Sequence, residues 1–255
     1  MAGENGPNAL MGRSVLPTQT NPVRREPEAN AGRPAPVADL PAERRLVERV
    51  FERCEAVIEE ACALSSVPPE FLGALVANES GGYADATRFE PAVYRHLQAV
   101  AQGQSPSFGS INVTKLDQEL AELFPPTDAT LHARYLTPAF AANHGGEIQS
   151  AADEALRELA TSWGYTQIMG YHMAGQPGTV RRLLDPFFHF RVALRLLSEF
   201  AADYQLDLGH EFPEMFCCWN TGRPYGKTFD PEYVAKGLQR MRIYRQIRSI
   251  RQSSR

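Results

Sequence analysis

The sequence predicts a mainly helical domain, on the basis of two observations. Apolar residues recur at intervals of three and four, most clearly over residues 46–61, and this spacing places them on one face of a helix. No segment alternates apolar and polar residues for long enough to predict a sheet, although residues 83–112 leave room for a short β-hairpin. The composition, with 43% apolar and 22% charged residues, is typical of a globular protein.

The first 40 residues are predicted to form a disordered leader. They contain six prolines and four glycines and no aromatic residue. Such a segment cannot bury enough apolar surface to offset the entropy lost on ordering. It does not match a secretory signal either, because no basic stretch precedes an apolar one. We therefore expect the folded domain to occupy residues 41–255, with regular structure reaching about Arg248.

Prolines and glycines divide this domain into helices. Pro41 suits the first turn of a helix, and residues 65–69, which include two prolines, end that helix and open the next. Gly81 and Gly82 end the second helix, as glycines past a helix C-terminus commonly do. Further helices are predicted at about 90–101, 114–123, 148–160, 187–204, 213–219 and 231–247.

Charge and motif content argue against several classes of function. The net charge of −4 and the pI of about 5.9 disfavour nucleic-acid binding, and no apolar run is long enough for stable membrane insertion. Motifs typical of phosphate loops, dinucleotide-binding folds, serine hydrolases and zinc sites do not occur. Residues 233–255 contain seven Lys or Arg and no acid, which favours a solvated helix face over a surface for polyanions.

The chain has four cysteines, too few for a disulfide scaffold. Cys54 and Cys62 lie on one predicted helix, and Cys217 and Cys218 are adjacent. The pattern predicts buried thiols that pack as small apolar side chains. A disulfide between the two pairs is left open.

Glu79 is the residue that departs most from its local pattern. It closes the apolar helix predicted over residues 69–79 and shares a face with Leu75 and Val76. Burial disfavours its charged form, and so does the negative end of the helix dipole, so both effects raise its pKa. A carboxylic acid that keeps its proton near neutral pH is what a general acid requires. The alternative interpretation is an acid that reaches solvent past the two glycines.

Two further segments combine aromatic, amide and glycine residues. Residues 161–170 include Tyr165 and Gln167, and the second segment begins with Trp219 and Asn220. Aromatic faces stack on sugar rings, and amides form hydrogen bonds with their polar groups. Packing of the two aromatic rings in the core is an equally good interpretation. Together with the glutamate, the two segments predict a carbohydrate site.

Four short motifs resemble, in order, those of the soluble lytic transglycosylase (SLT) family. Residues 67–82 resemble its first motif, in which a Glu-Ser pair ends a helix. Residues 164–169 are similar to its Gly-Leu-Met-Gln-Ile motif, with Tyr-Thr in place of Leu-Met, and residues 219–222 to its Tyr-Asn-x-Gly motif, with Trp in place of Tyr. Residues 230–234 resemble its last motif, which brings a tyrosine into the cleft. The resemblance covers about residues 66–246 and implies a lysozyme-like helical fold acting on peptidoglycan.

The chain departs from that family in the spacing of the first two motifs. Glu79 and Gly164 are 85 positions apart, which we interpret as an insertion at about residues 83–160. Residues 88–95 and 162–170 resemble phage-type N-acetylmuramidase domains, which cut the same polymer and also use a glutamate. Both resemblances imply glycan cleavage, and together they leave open whether water completes the reaction.

The SLT resemblance implies roles for individual residues. Glu79 would be the catalytic acid/base at the β-1,4 bond between N-acetylmuramic acid and N-acetylglucosamine. Tyr233 would position this glutamate or the departing oxygen. Substrate binding would fall to Ser80, Tyr165, Gln167, Trp219 and Asn220. For Ser80, orienting Glu79 and capping the turn are further alternatives. No metal or organic cofactor is implied.

Two routes can follow protonation of the bond. Glu79 can accept the proton of the C6 hydroxyl and leave a 1,6-anhydro end, or a second carboxylate about 5–5.5 Å or 6.5–9.5 Å away can complete hydrolysis. Because the family uses one glutamate, the resemblance favours the anhydro product, with a hydrolytic muramidase as the alternative. Asp85 and Glu90 are the nearest later acids, and surface positions are the commoner outcome for such residues. A non-catalytic glycan-binding or structural module is a further alternative, which an intact Glu79 argues against.

The implied partner is the glycan strand of peptidoglycan. The expected site of action is therefore the cell wall, the periplasm or the extracellular space. The sequence shows no recognisable export signal. Three explanations are left open: a dedicated secretion machinery, which would then be a further partner, delivery by phage lysis, and a misassigned start.

Overall fold

The computed structural model describes residues 40–116, 146–174, 176 and 179–253. These described residues fall within one compact unit. The predicted disordered leader, apart from Leu40, and residues 117–123 of one predicted helix lie outside the described part.

The described chain is mainly helical, as the sequence predicts. Its α-helices are α1 (Leu40–Cys62), α2 (Pro69–Glu79), α3 (Pro91–Ala101), α4 (Gly146–Leu159), α5 (Pro186–Tyr204), α6 (Phe212–Thr221) and α7 (Tyr233–Ser253). Short 3₁₀ turns occupy Gly170–Met173 and Val180–Leu184. The bounds of α2 are those predicted, because a proline opens the helix and two glycines follow its end.

A small antiparallel sheet joins distant parts of the chain. Its strands are β1 (Thr87–Phe89), β2 (Thr161–Trp163) and β3 (Ile168–Met169), in the order β1-β2-β3. Arg88 is paired with Ser162, and Ser162 with Met169. The hairpin of this sheet is therefore β2–β3. Residues 83–112, where the sequence left room for a hairpin, contribute β1 and an isolated antiparallel bridge between Phe108 and Ile111. Strands of two or three residues are too short to show the alternation that predicts a strand, and the partner of β1 lies far along the chain.

Helix α2 is the buried centre of the fold and contacts α1 and α7. Its residues from Glu70 to Ala77 are all buried. Gly73 allows the close approach of α7, because a Cβ there would lie 2.3 Å from Cε2 of Tyr244. Gly237 likewise allows α7 and α6 to approach closely, because a Cβ there would lie 2.7 Å from Cζ of Phe216. This packing fixes the end of α2 that carries Glu79.

Acids from α1 and α2 offset much of the positive charge of α7. The distances between paired N and O atoms run from 2.6 Å to 3.9 Å in four ion pairs: Arg240–Glu43, Arg245–Glu70, Arg248–Glu59 and Arg251–Glu52. The basic residues of this helix thus serve largely to join it to its neighbours.

All four cysteines are buried free thiols, as the sequence predicts, and the disulfide that was left open does not form. Burial raises the pKa of both Cys54 and Cys62 to about 12, so they stay protonated and pack as apolar groups. Among the described residues, no helix has both the length and the apolar character that crossing a membrane would require.

Candidate active site

Glu79 is the last residue of α2 and is followed by a tight turn. The N–H groups of Ser80 and Gly81 both donate to the Val76 carbonyl, at 3.0 and 2.9 Å. Gly81 and Gly82 have φ values of 64° and 88°, in the left-handed region that favours glycine. The two glycines therefore end the helix directly after Glu79, as the sequence predicts.

The carboxyl group of Glu79 holds its proton more strongly than an exposed glutamate does. Burial raises the pKa of Glu79 from 4.5 to about 7, against a hydrogen bond from Tyr233 and the positive charge of Arg88, which both lower it. The direction is the one predicted from the position of Glu79 at the end of an apolar helix. A large fraction of Glu79 is consequently protonated at neutral pH.

Tyr233, the first residue of α7, donates its hydroxyl hydrogen bond to Oε1 of Glu79. Its side chain is buried, with 8% of the residue exposed, and its ring meets Phe216 edge to face at 6.3 Å. Burial and the adjacent Glu79 charge raise the pKa of Tyr233 well above 10. The phenol is therefore a permanent donor to the carboxyl group.

Ser80 joins the turn after Glu79 to the segment between β2 and β3. Its hydroxyl donates to the carbonyl of Tyr165 at 2.7 Å and accepts from the N–H of Gly82 at 3.3 Å. The ring of Tyr165 is buried and stacks on Phe190 at 5.2 Å. Tyr165 thus lies in the core, where its backbone contacts the site and its ring supports the turn.

Gln167 uses its side-chain amide within the protein. Nε2 donates to the carbonyls of Ala86 and Gly164, at 3.0 and 2.9 Å, and Oε1 accepts from the Ser162 hydroxyl at 2.8 Å. With φ at 55°, the backbone of Gln167 completes the tight turn between β2 and β3. Both amide hydrogens are therefore engaged in shaping the sheet beside Glu79.

Trp219 and Asn220 lie at the end of α6. Trp219 is partly buried, and its Nε1 donates to the carbonyl of Thr166 at 3.0 Å, so it contacts the same β2–β3 turn. Asn220 is exposed, and its Oδ1 accepts from the N–H of Phe229 at 3.4 Å. The structure thus brings Glu79, Ser80 and Tyr233 together and connects Trp219 to them through the turn, whereas Asn220 contacts the loop before α7.

The two further acids considered from the sequence differ in their surroundings. Asp85 is exposed, whereas Glu90 is partly buried and forms an ion pair with Arg88 at 2.6 Å. This pair lies at the edge of the sheet, and its arginine is the one whose charge acts on Glu79.

Two side-chain groups that support the site were not predicted from the sequence. The first is His189, which is fully buried and accepts at Nε2 from the N–H of Thr166 at 2.9 Å, while Nδ1 donates to the Leu183 carbonyl at 2.9 Å. Burial lowers its pKa to about 4, so the ring is neutral. A Cβ on Gly164 would lie 2.7 Å from His189 Nδ1, and the φ of this glycine is 71°. The signal available in the sequence was the glycine itself.

The second missed support is Arg240, together with Asn78. Arg240 was interpreted as part of a solvated basic face, but only 9% of it is exposed. Its guanidinium contacts Glu43, Ala77 and Asn78 directly behind the site. The position of Asn78 directly before Glu79 was the available signal.

Among the described residues, no group of three or more His, Cys, Asp or Glu is placed to hold a metal ion. Comparison of the chain with protein-family models, with curated proteins and with solved structures gives no match.

Proposed function

We propose that the protein cleaves the β-1,4 bond between N-acetylmuramic acid and N-acetylglucosamine in peptidoglycan and leaves 1,6-anhydromuramic ends. The observation that carries the proposal is the pairing of Glu79 with Tyr233 at the end of a buried helix, where burial raises the pKa of Glu79 to about 7. A general acid works best when its pKa lies near the working pH. The motif resemblance of the sequence supports the choice of polymer.

In the proposed reaction, one carboxyl group performs both proton transfers. Protonated Glu79 donates to the glycosidic oxygen as the bond to C1 breaks and the muramic ring gains oxocarbenium character. The resulting carboxylate accepts the proton of the C6 hydroxyl while that oxygen bonds to C1. Glu79 is thereby reprotonated, and no water is consumed. Tyr233, as a neutral donor, stabilises the carboxylate between the two steps.

The surroundings of the other acids favour this route over hydrolysis. Hydrolysis by a retaining or inverting route requires a second carboxylate that acts on the sugar or on water. Glu90 is already paired with Arg88 at 2.6 Å, and Asp85 is exposed. Glu79 and Tyr233 suffice for the anhydro route.

A hydrolytic muramidase is the second candidate, and the small sheet favours it. The two segments that resemble phage-type muramidases include most of β1 and of β2, and these strands pair directly, with Arg88 opposite Ser162. The two segments, which are far apart in sequence, thus lie side by side in the sheet. Under this candidate, Glu90 would have to separate from Arg88 to act on water.

We assign the remaining residues by their exposure. Asn220 is exposed, and Trp219 is partly buried, so these two are the candidates for direct sugar contact. Ser80 and Gln167 are assigned to holding the turn and the sheet around Glu79, since their polar groups bond within the protein. The proposed partner is the glycan strand, so the protein would have to reach the cell wall.

The test is digestion of purified sacculi by the wild-type protein, by Glu79→Gln and by Asp85→Asn. Release of soluble muropeptides by the wild type and by Asp85→Asn, with at least a 100-fold loss in Glu79→Gln, would support the proposal, because removing a general acid costs about 10²–10⁴ in rate. Equal release by Glu79→Gln would reject Glu79 as the acid. If none of the proteins releases material and the wild type still binds sacculi, the module is a glycan-binding one.

A further inference from the structure

A buried arginine lies directly behind the Glu79–Tyr233 pair. Nε and Nη2 of Arg240 both donate to the carboxylate of Glu43, at 2.6 and 3.0 Å. Nη1 donates to the Ala77 carbonyl at 3.2 Å and to Oδ1 of Asn78 at 2.8 Å. One guanidinium thus joins α7, which carries it, to both α1 and the C-terminal turn of α2.

Asn78 extends this contact to the tyrosine. Its Nδ2 donates to the backbone carbonyl of Tyr233 at 3.1 Å. Because a guanidinium can only donate hydrogen bonds, Arg240 requires the oxygen of the Asn78 amide to face it. The NH₂ group is thereby directed at Tyr233, so the arginine determines the orientation of the amide.

We propose that Arg240 and Asn78 are positioning residues for the Glu79–Tyr233 pair, an inference that rests on the proposed function. Tyr233 is the first residue of its helix, where helix ends tend to fray. The bond from Asn78 holds this first residue against α2, next to the last residue of α2, which is Glu79. This bond keeps the hydroxyl of Tyr233 within hydrogen-bonding distance of the Glu79 carboxyl group even when the end of α7 frays.

The chemistry of the arginine explains why this residue type is suited to the position. A planar guanidinium forms a bidentate pair with Glu43 and keeps donors in a fixed direction for Asn78, whereas an ammonium group is a single point of charge. Ala77 is also one of the last residues of α2, whose carbonyls have no partner within the helix, and a cation is favourable at that end. A buried ion pair adds little net stability, so its value here lies in geometry.

A second ion pair between the same two helices provides a matched control. Arg245 donates from Nε to Oε1 of Glu70 at 2.9 Å, and Glu70 lies in the first turn of α2, at the opposite end from Glu79. Arg245→Ala therefore removes a link between α7 and α2 without touching Asn78 or Tyr233. Any effect that arises only from weaker helix packing should appear in this variant as well.

The test is the pKa of Glu79, measured in the full chain by NMR of ¹³C-labelled glutamate carboxyls, with the signal assigned by its absence in Glu79→Gln. We expect Asn78→Ala to raise the pKa of Glu79, because the variant weakens the hydrogen bond from Tyr233 that lowers this pKa. The proton affinity of Glu79 should rise about threefold or more. We expect kcat for sacculus digestion to fall about tenfold at unchanged KM. Arg245→Ala should change neither quantity.

A double variant separates positioning from a general loss of structure. In a Tyr233→Phe background, Asn78→Ala should have no further effect on the Glu79 pKa or on kcat, because it acts through the tyrosine. An unchanged Glu79 pKa in Asn78→Ala, or an effect that persists in full without the phenol, would overturn the proposal. If Asn78→Ala does not fold, Arg240→Lys is measured in the same way and must raise the pKa of Glu79.

This experiment distinguishes the inference from the proposed function. The NMR titration requires no turnover. If the wild type does not cleave glycan but Asn78→Ala still raises the pKa of Glu79, the proposed function is rejected and the positioning role is supported. If the wild type cleaves glycan and the Asn78→Ala variant has the same Glu79 pKa and the same kcat, the proposed function is supported and the positioning role is rejected.

Discussion

The hydroxyl of Tyr233 donates a hydrogen bond to the carboxyl group of Glu79, although the two residues are 154 positions apart. The bond joins the first residue of α7 to the last residue of α2. It gives Glu79 a fixed partner that stabilises the carboxylate, while burial stabilises the protonated acid. A group balanced between the two forms near neutral pH is suited to give and take back one proton.

The rate of glycan cleavage should fall as pH rises above about 7. The pKa of Glu79 is raised to about 7 by burial, and the reaction begins from the protonated acid, so kcat/KM should decrease about tenfold per pH unit on the alkaline side. The measurement is the initial rate of muropeptide release from sacculi across a series of buffers at constant ionic strength. A rate that stays level well above pH 7 would mean that the protonated form of Glu79 is not the reactive one.

Replacement of Tyr233 by phenylalanine should slow cleavage by about tenfold and move its alkaline limit to higher pH. The variant removes a donor that favours the carboxylate, so the pKa of Glu79 should rise further above its usual value. The pH profile of Tyr233→Phe should be compared with that of Tyr204→Phe, a partly exposed tyrosine whose hydroxyl contacts the Gly222 carbonyl. A profile of Tyr233→Phe that overlays the wild type would show that the hydrogen bond does not control the acid.

The substitution Glu79→Gln should stabilise the fold at high pH. Because the pKa of Glu79 is 4.5 when unperturbed and about 7 in the folded protein, folding binds a proton between these values, and stability is lost as pH rises through that interval. The amide cannot ionise and keeps an oxygen for the Tyr233 bond. At about pH 8 the variant should exceed the wild type by about 3 kcal/mol in unfolding free energy, with no difference from this cause near pH 4.

Denaturant unfolding of both proteins at the two pH values measures this difference. Glu232→Gln, which alters an exposed glutamate in the loop before α7, serves as the control and should not reproduce the effect. Equal stability of Glu79→Gln and wild type at about pH 8 would argue against a raised pKa for Glu79.

The substitution Gly73→Ala should destabilise the crossing of α2 and α7. The added Cβ would lie 2.3 Å from the ring of Tyr244, which is fully buried. Overpacking of this kind typically costs about 1–3 kcal/mol, even though alanine is the better helix former. Calorimetric unfolding should show a lower Tm for Gly73→Ala, and the added change Tyr244→Leu should recover part of the loss by making room. A Tm at or above that of the wild type would contradict the close approach.

Local sequence features account for the part of the site that lies on α2. The proline that opens this helix and the glycines that follow it predict its bounds, and the apolar face predicts that Glu79 is partly buried. The pKa shift has the predicted direction because burial, which raises it, follows from the position of the residue at the end of an apolar helix. The same reasoning covered the four cysteines, whose burial follows from their apolar neighbours.

The features of the fold and site that the sequence could not predict depend on pairings between residues far apart in the chain. Arg240 pairs with Glu43, 197 positions away, and nothing in the periodicity of a basic helix distinguishes a buried arginine from a solvated one. The pairing of β1 with β2 is equally distant, between strands too short to show a pattern. From the sequence, Gln167 was expected to contact sugar. Its hydrogen bonds to Ala86 and Gly164, on which we base its proposed role in holding the sheet, depend on a turn that forms only in the folded chain.

The mass of the glycan ends left by the wild-type protein tests the central claim most directly. Purified sacculi are digested, and the muropeptides are separated and weighed, with Glu79→Gln as the negative control. If Glu79 alone performs both proton transfers, the products carry 1,6-anhydromuramic ends, each lighter than a hydrolysed end by one water, and the variant yields none. Reducing ends that incorporate ¹⁸O from labelled water would contradict the account and identify the protein as a hydrolytic muramidase.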